Sequence, residues 1–148
     1  MIVADTGAVL ALLDAGDRHH AALRRIYDAD PAAWLLPWAV LPEIDYLVAS
    51  QLGTQAEETF LTDLAAGAFA VEWGTDADLE DAYRICQRYR PLNLGLVDAV
   101  VMAVAERLRA PAIATVDLRH FGAVSLEGAP RLLPRDAAPA RRPVKGRR

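Results

Sequence analysis

Lysine is almost missing from this chain: among its 148 residues only Lys145 is one, and it stands close to the end. That excludes every mechanism that needs a lysine in the core. There is no P-loop, whose lysine reaches the nucleotide phosphates, and no lysine placed to form a Schiff base. Cysteine is as scarce. Cys86 stands alone, so there is no internal disulfide and no cysteine-based zinc site, which fits a reducing compartment. No window approaches the ~18 apolar residues of a membrane span, and no basic segment followed by a long apolar stretch opens the chain. The expectation is a soluble, cytoplasmic protein that does not enter a membrane.

What is present is an apolar chain with unevenly placed charge. The apolar fraction of 53% and the length fit one globular domain with a real core. Residues 135–148 hold six basic side chains (Arg135, Arg141, Arg142, Lys145, Arg147, Arg148) against one acid, Asp136, a net +5. The preceding 134 residues carry ten basic and nineteen acidic side chains, a net −9. Such an acidic body is a poor generic binder of nucleic acid. The division is therefore a folded domain over 1–134 and a basic, Pro/Ala-rich tail over 135–148. The tail is expected to be disordered and solubilising, with help in holding a polyanion as the other reading.

Short apolar runs alternate with longer helical stretches. Strands are expected over 1–5, 33–36, 69–73, 112–117 and, at an edge, 131–133. Helices are expected over 7–13 with Thr6 as cap, 17–28 with Asp17 as cap, 39–52, 54–66, 76–89 and 96–109. In the helix over 76–89, Leu79, Ala82, Tyr83 and Cys86 share the expected inward face. In the helix over 17–28, Ala21, Ala22, Leu23 and Ile26 do. The alternation predicts an α/β sandwich around a mostly parallel sheet, with sites at the carboxyl ends of its strands.

Four acids occupy positions where chemistry is expected. Asp5 ends the first apolar run and Asp117 the last clear one. Glu43 and Asp98 stand near the starts of apolar helices. One turn and two turns on from Asp98 lie Val101, Met102 and Ala105, an apolar face on which a lone carboxylate is costly to bury. Glu43 faces Tyr46 and Leu47 in the same way, whereas Asp45 is rotated about 200° away. Taken singly, each acid also reads as a helix cap, a first-turn acid or a turn residue. Together they predict one self-repelling pocket that needs cations to fill it. Oxygen ligands without a lysine partner suit Mg²⁺ or Mn²⁺, whose usual chemistry is phosphodiester cleavage. Alternation along the strand puts Thr115 on the side of Asp117, in reach of the same pocket.

These residues resemble a known family. Asp5-Thr6-Gly7, Pro42-Glu43-Ile44-Asp45-Tyr46-Leu47, Gly95-Leu96-Val97-Asp98-Ala99 and Thr115-Val116-Asp117-Leu118-Arg119-His120-Phe121, in that order, resemble the PIN-domain family. The short length looks most like its VapC-type toxins of bacterial type II toxin–antitoxin systems. The resemblance covers residues 1–134 and leaves out the tail. It implies a PIN-like three-layer α/β/α sandwich and Mg²⁺- or Mn²⁺-dependent endoribonuclease action on structured RNA such as tRNA or rRNA. It also implies a cognate VapB-like antitoxin that masks the site, and a homodimer. Asp5, Glu43, Asp98 and Asp117 match the family's acidic, metal-holding quartet, and Thr115 its hydroxyl position.

Other residues carry plainer readings. His19 and His20 are adjacent and point apart on a helix, so they make a poor metal pair. His120 lies in a loop after Asp117, where contact with RNA is the functional alternative to a solvated side chain. Cys86 reads as core. Trp34, Trp38 and Trp73 read as core or rim, and Arg84, Arg88 and Arg90 as a solvated helix face. The helices around 34–52 and 55–64 have apolar content to spare for dimer or antitoxin surfaces.

Three other functions compete. A receiver-type signalling module needs a core lysine that the chain lacks. A haloacid-dehalogenase-type phosphatase needs a second aspartate where Gly7 stands. A catalytically silent PIN-like metal-binding and interaction module remains as the alternative.

Overall fold

A computed structural model of the chain describes residues 1–138. Its centre is a five-stranded, wholly parallel sheet in the order β3-β2-β1-β4-β5, formed by Ile2–Ala4 (β1), Trp34–Pro37 (β2), Ala70–Glu72 (β3), Ala112–Ala114 (β4) and Arg131–Leu133 (β5). β1 pairs with β2 in the register Ile2 to Trp34, and with β4 in the register Ile2 to Ala112. The strand order reverses between β1 and β4. Crevices for ligands open at such a switch point, at the carboxyl ends of the two strands. The segments that leave those two ends carry Asp5 on one side and Thr115 to Asp117 on the other.

The helices are Thr6–Leu13 (α1), His20–Ala29 (α2), Leu41–Leu52 (α3), Thr54–Ala65 (α4), Asp76–Arg88 (α5), Leu96–Arg107 (α6) and Leu118–Phe121 (α7). α1 packs on α2 and α3, α3 on α4, and α5 on α6, while α6 also lies on β1 and β2. The expected α/β/α sandwich is therefore the observed one, and the sheet is more uniformly parallel than expected. α6 is the core helix: Ala99 to Ala105 are buried without interruption. Each fully buried Val or Met there contributes roughly 1.5–3 kcal/mol. Among the described residues, no helix is long and apolar enough to cross a membrane.

Several local expectations shift. Asp5, not Thr6, caps α1, because its carboxylate accepts the Thr6 N–H at 2.7 Å. Asp17 caps no helix; it accepts the His19 N–H in the turn before α2. Ala21 is exposed, and Leu23 is the buried residue of α2. β4 stops at Ala114, three residues before Asp117, and the supposed loop after it begins with α7. The largest correction concerns α5. Leu79 and Tyr83 are exposed, and the inward face is Asp78, Ala82 and Ile85.

Asp78 can face inward because Arg107, at the end of α6, meets it with two bonds: Nε to Oδ1 at 2.7 Å and Nη2 to Oδ2 at 3.1 Å. Arg107 Nη2 also reaches Glu72 Oε1 at 2.9 Å. Asp78 accepts the Thr75 N–H and so closes a capping box at the start of α5. Gly74 sits beside this knot with φ +81°, and a Cβ there would meet the Trp38 indole at 2.7 Å, so glycine is required on both counts. The result ties the end of β3, the start of α5 and the end of α6 together.

Past β5 the chain turns back on itself. Asp136 accepts the Leu132 N–H at 2.8 Å and donates its own N–H to the Leu132 carbonyl, also at 2.8 Å. The first tail residues thus hold to the sheet edge, although nothing in the sequence past Pro134 suggests packing. Arg141, Arg142, Lys145, Arg147 and Arg148 lie outside the described residues.

Candidate active site

Asp5 is the deepest of the four acids, with 4% of its surface exposed. It continues β1, since its N–H donates to the Ala114 carbonyl at 2.9 Å, and its side chain turns toward the segment that leaves β4. One carboxylate oxygen accepts the Thr6 N–H and the other accepts the Thr115 hydroxyl at 3.1 Å. The β1–α1 turn comes close to the segment after β4 because Gly7 has no side chain: a Cβ there would stand 2.9 Å from Val116 Cγ2.

Thr115 joins the two sides. Its hydroxyl donates to Asp5 and accepts the Asp117 N–H at 3.1 Å. Asp117 caps α7 by accepting the His120 N–H through Oδ1 at 3.1 Å. Its Oδ2 lies 3.1 Å from His120 Nδ1. Asp98, in the first turn of α6, brings its Oδ2 to 2.8 Å from the same nitrogen. Glu43, in the first turn of α3, is exposed and makes no hydrogen bond of this kind; it enters through its charge, which raises the Asp98 pKa. The structure therefore links Asp5, Thr115, Asp117 and Asp98 in one chain of contacts, with Glu43 at the rim.

The acids disturb one another. Burial, then the charge of Asp98, pushes the Asp5 pKa up to about 7, against the pull of its bonds to Thr115 and Thr6. Asp98 is also raised, first by burial and then by Asp117 and Glu43, while His120 works the other way. Among the described residues, the ion pairs made by arginines all lie elsewhere in the fold. A cluster of this kind meets the requirement of a hard divalent cation: oxygen donors, excess negative charge and limited solvent. The Thr6 hydroxyl adds unspent capacity beside it, since Thr6 Oγ1 is buried with no hydrogen-bond partner.

His120 is the residue that sequence reasoning misplaced. Its signal was the Asp-x-x-His spacing, which puts both side chains on one face once the segment is helical; a loop assignment hid it. Among the other residues, Arg84 and Trp34 keep their plainer readings, whereas Trp73, Cys86 and His20 depart from theirs. Arg84 pairs on the surface with Glu80 and Asp81. Trp34 is fully buried and Trp73 is exposed. Cys86 is half-buried, with its thiol near the Leu94 carbonyl at 3.7 Å. His20 rests its ring on the Ala11 carbonyl at 3.1 Å.

With this geometry in hand, similarity to known proteins becomes specific. The PIN domain profile matches residues 2–125. Ribonuclease VapC26 of Mycobacterium tuberculosis is 37% identical over 123 residues, spanning 83% of this chain and 91% of the relative. The fold is shared with the crystal structure of Mycobacterium tuberculosis VapC20, described as a sarcin-ricin loop cleaving toxin. The TM-score is 0.75 and the identity 23%, over 86% of this chain and 98% of that one. It is shared too with the DNA-bound VapBC structure from Salmonella typhimurium, at TM-score 0.66 and 16% identity, over 89% and 97% of the two chains. At those identities the two structures speak for the fold. The profile match and the 37% identical relative speak for descent, and the chain belongs to the PIN-domain family, within its VapC group.

Proposed function

We propose that this protein is a divalent-metal-dependent endoribonuclease of the VapC toxin type, acting on structured RNA such as tRNA or rRNA. The observation that carries the reading is the switch-point cluster of a buried Asp5 with the half-buried Asp98 and Asp117, linked through Thr115 and His120 and, among the described residues, without an arginine partner. The 37% identical relative named a ribonuclease supports the activity.

In this reading Asp5, Asp98, Asp117 and Glu43 hold Mg²⁺ or Mn²⁺. The bound ion supplies Lewis-acid stabilisation of phosphate charge and lowers the pKa of a coordinated water. The remaining work belongs to the chain. Thr115 fixes the orientation of the Asp5 carboxylate and the backbone of Asp117 with one hydroxyl. The Thr6 N–H and the Thr115 O–H keep Asp5 able to ionise despite its burial. Gly7 lets the β1–α1 turn approach Val116, beside the Thr115 hydroxyl that bonds Asp5.

The same reading includes an antitoxin and a second copy of the chain. Tyr46, Leu96 and Leu118 stand exposed on the elements that carry Glu43, Asp98 and Asp117, an apolar rim that suits a masking partner. Structural relatives described as a VapBC complex and as a toxin–antitoxin complex from Klebsiella pneumoniae support such a partner. Leu61 on α4 is exposed as well and is the first residue to test for self-association. The folded unit is the PIN domain of residues 1–134, with the basic segment from 135 onward as an appendage, and its setting is the cytoplasm.

The test is digestion of total cellular RNA by purified protein with Mg²⁺, Mn²⁺ or chelator, beside Asp98→Asn. Discrete products that need metal and vanish in the variant support the reading and reveal the substrate. Equal cleavage by both proteins, or none, rejects it in favour of a silent interaction module.

A further inference from the structure

Three groups able to bind a metal through different atoms converge at one point: Asp98 from α6, Asp117 from the cap of α7 and His120 from α7 itself. His120 Nδ1 lies 2.8 Å from one carboxylate oxygen of Asp98 and 3.1 Å from one of Asp117. A single ring N–H points along one direction and serves one acceptor well. Two carboxylates from separate elements on one nitrogen is poor economy for a hydrogen bond alone. Asp98 takes the hydrogen bond and Asp117 Oδ2 is left facing the same nitrogen without one, an arrangement that a shared ion would complete. Donors on neighbouring corners of an octahedron with bonds of about 2.1 Å stand about 3.0 Å apart. Both separations from His120 Nδ1 fall beside that value, which is also an ordinary hydrogen-bond length, and the three donor atoms all lie within 4.8 Å of one another.

The backbone holds the ring in this place. The Asp117 carboxylate takes the His120 N–H through one oxygen and faces the ring through the other, so the cap of α7 sets the ring's orientation. His120 and Asp98 keep only 18% and 20% of their side chains exposed. Asp117 keeps 38%, so the cluster faces solvent on the Asp117 side.

We infer that His120 is a nitrogen ligand of the metal site, sharing an ion with Asp98 and Asp117, and that it shifts the site's preference away from Mg²⁺ toward ions that accept imidazole. The inference rests on the metal-dependent reading above. Carboxylates suit Mg²⁺ and Mn²⁺, whereas an imidazole adds affinity along the series that rises through Co²⁺ and Ni²⁺. His120 then acts on which ion is held and how tightly, separately from any contact with RNA.

The experiment uses untagged full-length protein, so that no other histidine cluster competes. Mn²⁺ bound to it is read by pulsed electron paramagnetic resonance for ¹⁴N modulation, and Mn²⁺, Ni²⁺ and Mg²⁺ affinities are read by calorimetry. His120→Ala and His120→Asn are compared with the parent; Asn keeps an N–H where the imidazole Nδ1 stands. The expected result is histidine ¹⁴N coupling in the parent that both variants lose. Ni²⁺ and Mn²⁺ affinity should fall at least roughly tenfold, with a smaller loss for Mg²⁺. Mn²⁺ binding to the parent without histidine coupling would overturn the inference, and so would a His120→Asn protein that binds all three ions as the parent does. In that case His120 is a hydrogen-bond donor to Asp98 and the metal reading stands. If the parent binds no Mn²⁺ at all, both readings fail together.

Discussion

Two aspartates are buried here to nearly the same depth, Asp78 at 1% exposure and Asp5 at 4%, and their pKa values move in opposite directions. Asp78 has Arg107 against both oxygens, which holds its carboxyl below the usual range although burial opposes this. Asp5 has a hydroxyl, an amide and two neighbouring acids, and rises to about 7. A buried carboxylate that carries its own cation is part of the scaffold. A buried carboxylate surrounded by other carboxylates is unfinished until a cation arrives from outside. The contrast separates a structural acid from a functional one where depth alone does not.

The largest effect that sharpens the contrast is on activity. Asp98→Asn removes a charge from the cluster while keeping its shape. If the ion supplies several kcal/mol of charge stabilisation, RNA cleavage falls by roughly 10³-fold or more. Single-turnover cleavage rates check this, and the variant's folding should be unimpaired.

At the other aspartate the same kind of change should unsettle the fold. Arg107→Met strands Asp78 without its partner. The expected loss is roughly 2–3 kcal/mol, less than for a wholly buried pair because Arg107 keeps 28% of its side chain exposed. Urea titration measures it, and any remaining folded protein should still bind metal.

The two acids also give opposite pH dependences. Asp5 binds its proton more tightly folded than unfolded, where its pKa is near 3.8. Its contribution to stability is present below that value and is lost as pH rises to about 7. Asp78, with its lowered pKa, contributes above the unfolded value and loses that contribution as pH falls. Asp5→Asn should therefore stabilise the metal-free protein at pH 8 by on the order of 2 kcal/mol, with little gain at pH 4, while abolishing activity. Thermal melts at the two pH values decide it; a variant no more stable at pH 8 than its parent would break the contrast.

The smallest expected effect is steric. Gly7→Ala puts a methyl group 2.9 Å from Val116 Cγ2. Separating the two strand ends should cost roughly 1–2 kcal/mol in stability and weaken Mn²⁺ binding, which one calorimetric series can measure.

Much of this was legible in the sequence. Asp5 and Thr115 belong to segments leaving adjacent strands, so the alternation of elements alone brings them to one end of the sheet. Asp98 stood out because α6 is apolar around it. The rest depends on partners far away in the chain. Nothing near Asp78 announces that it turns inward, since its compensating charge comes from Arg107, 29 residues on. An apolar count therefore chose Leu79 and Tyr83 for the inner face of α5. His120 was visible as a residue but not as a neighbour of Asp98, because α7 is a single turn whose start depends on the Asp117 cap.

The measurement that goes most directly to the account is calorimetric titration of the purified protein with Mn²⁺ near pH 6.5, repeated in buffers of different ionisation enthalpy and with Asp5→Asn. If Asp5 holds a proton only for want of a cation, binding should expel it. The parent should then release about one proton per ion bound, and the variant should release far less. Absence of Mn²⁺ binding, or binding with no difference in proton release between the two proteins, would contradict the claim that this cluster is completed by an external cation.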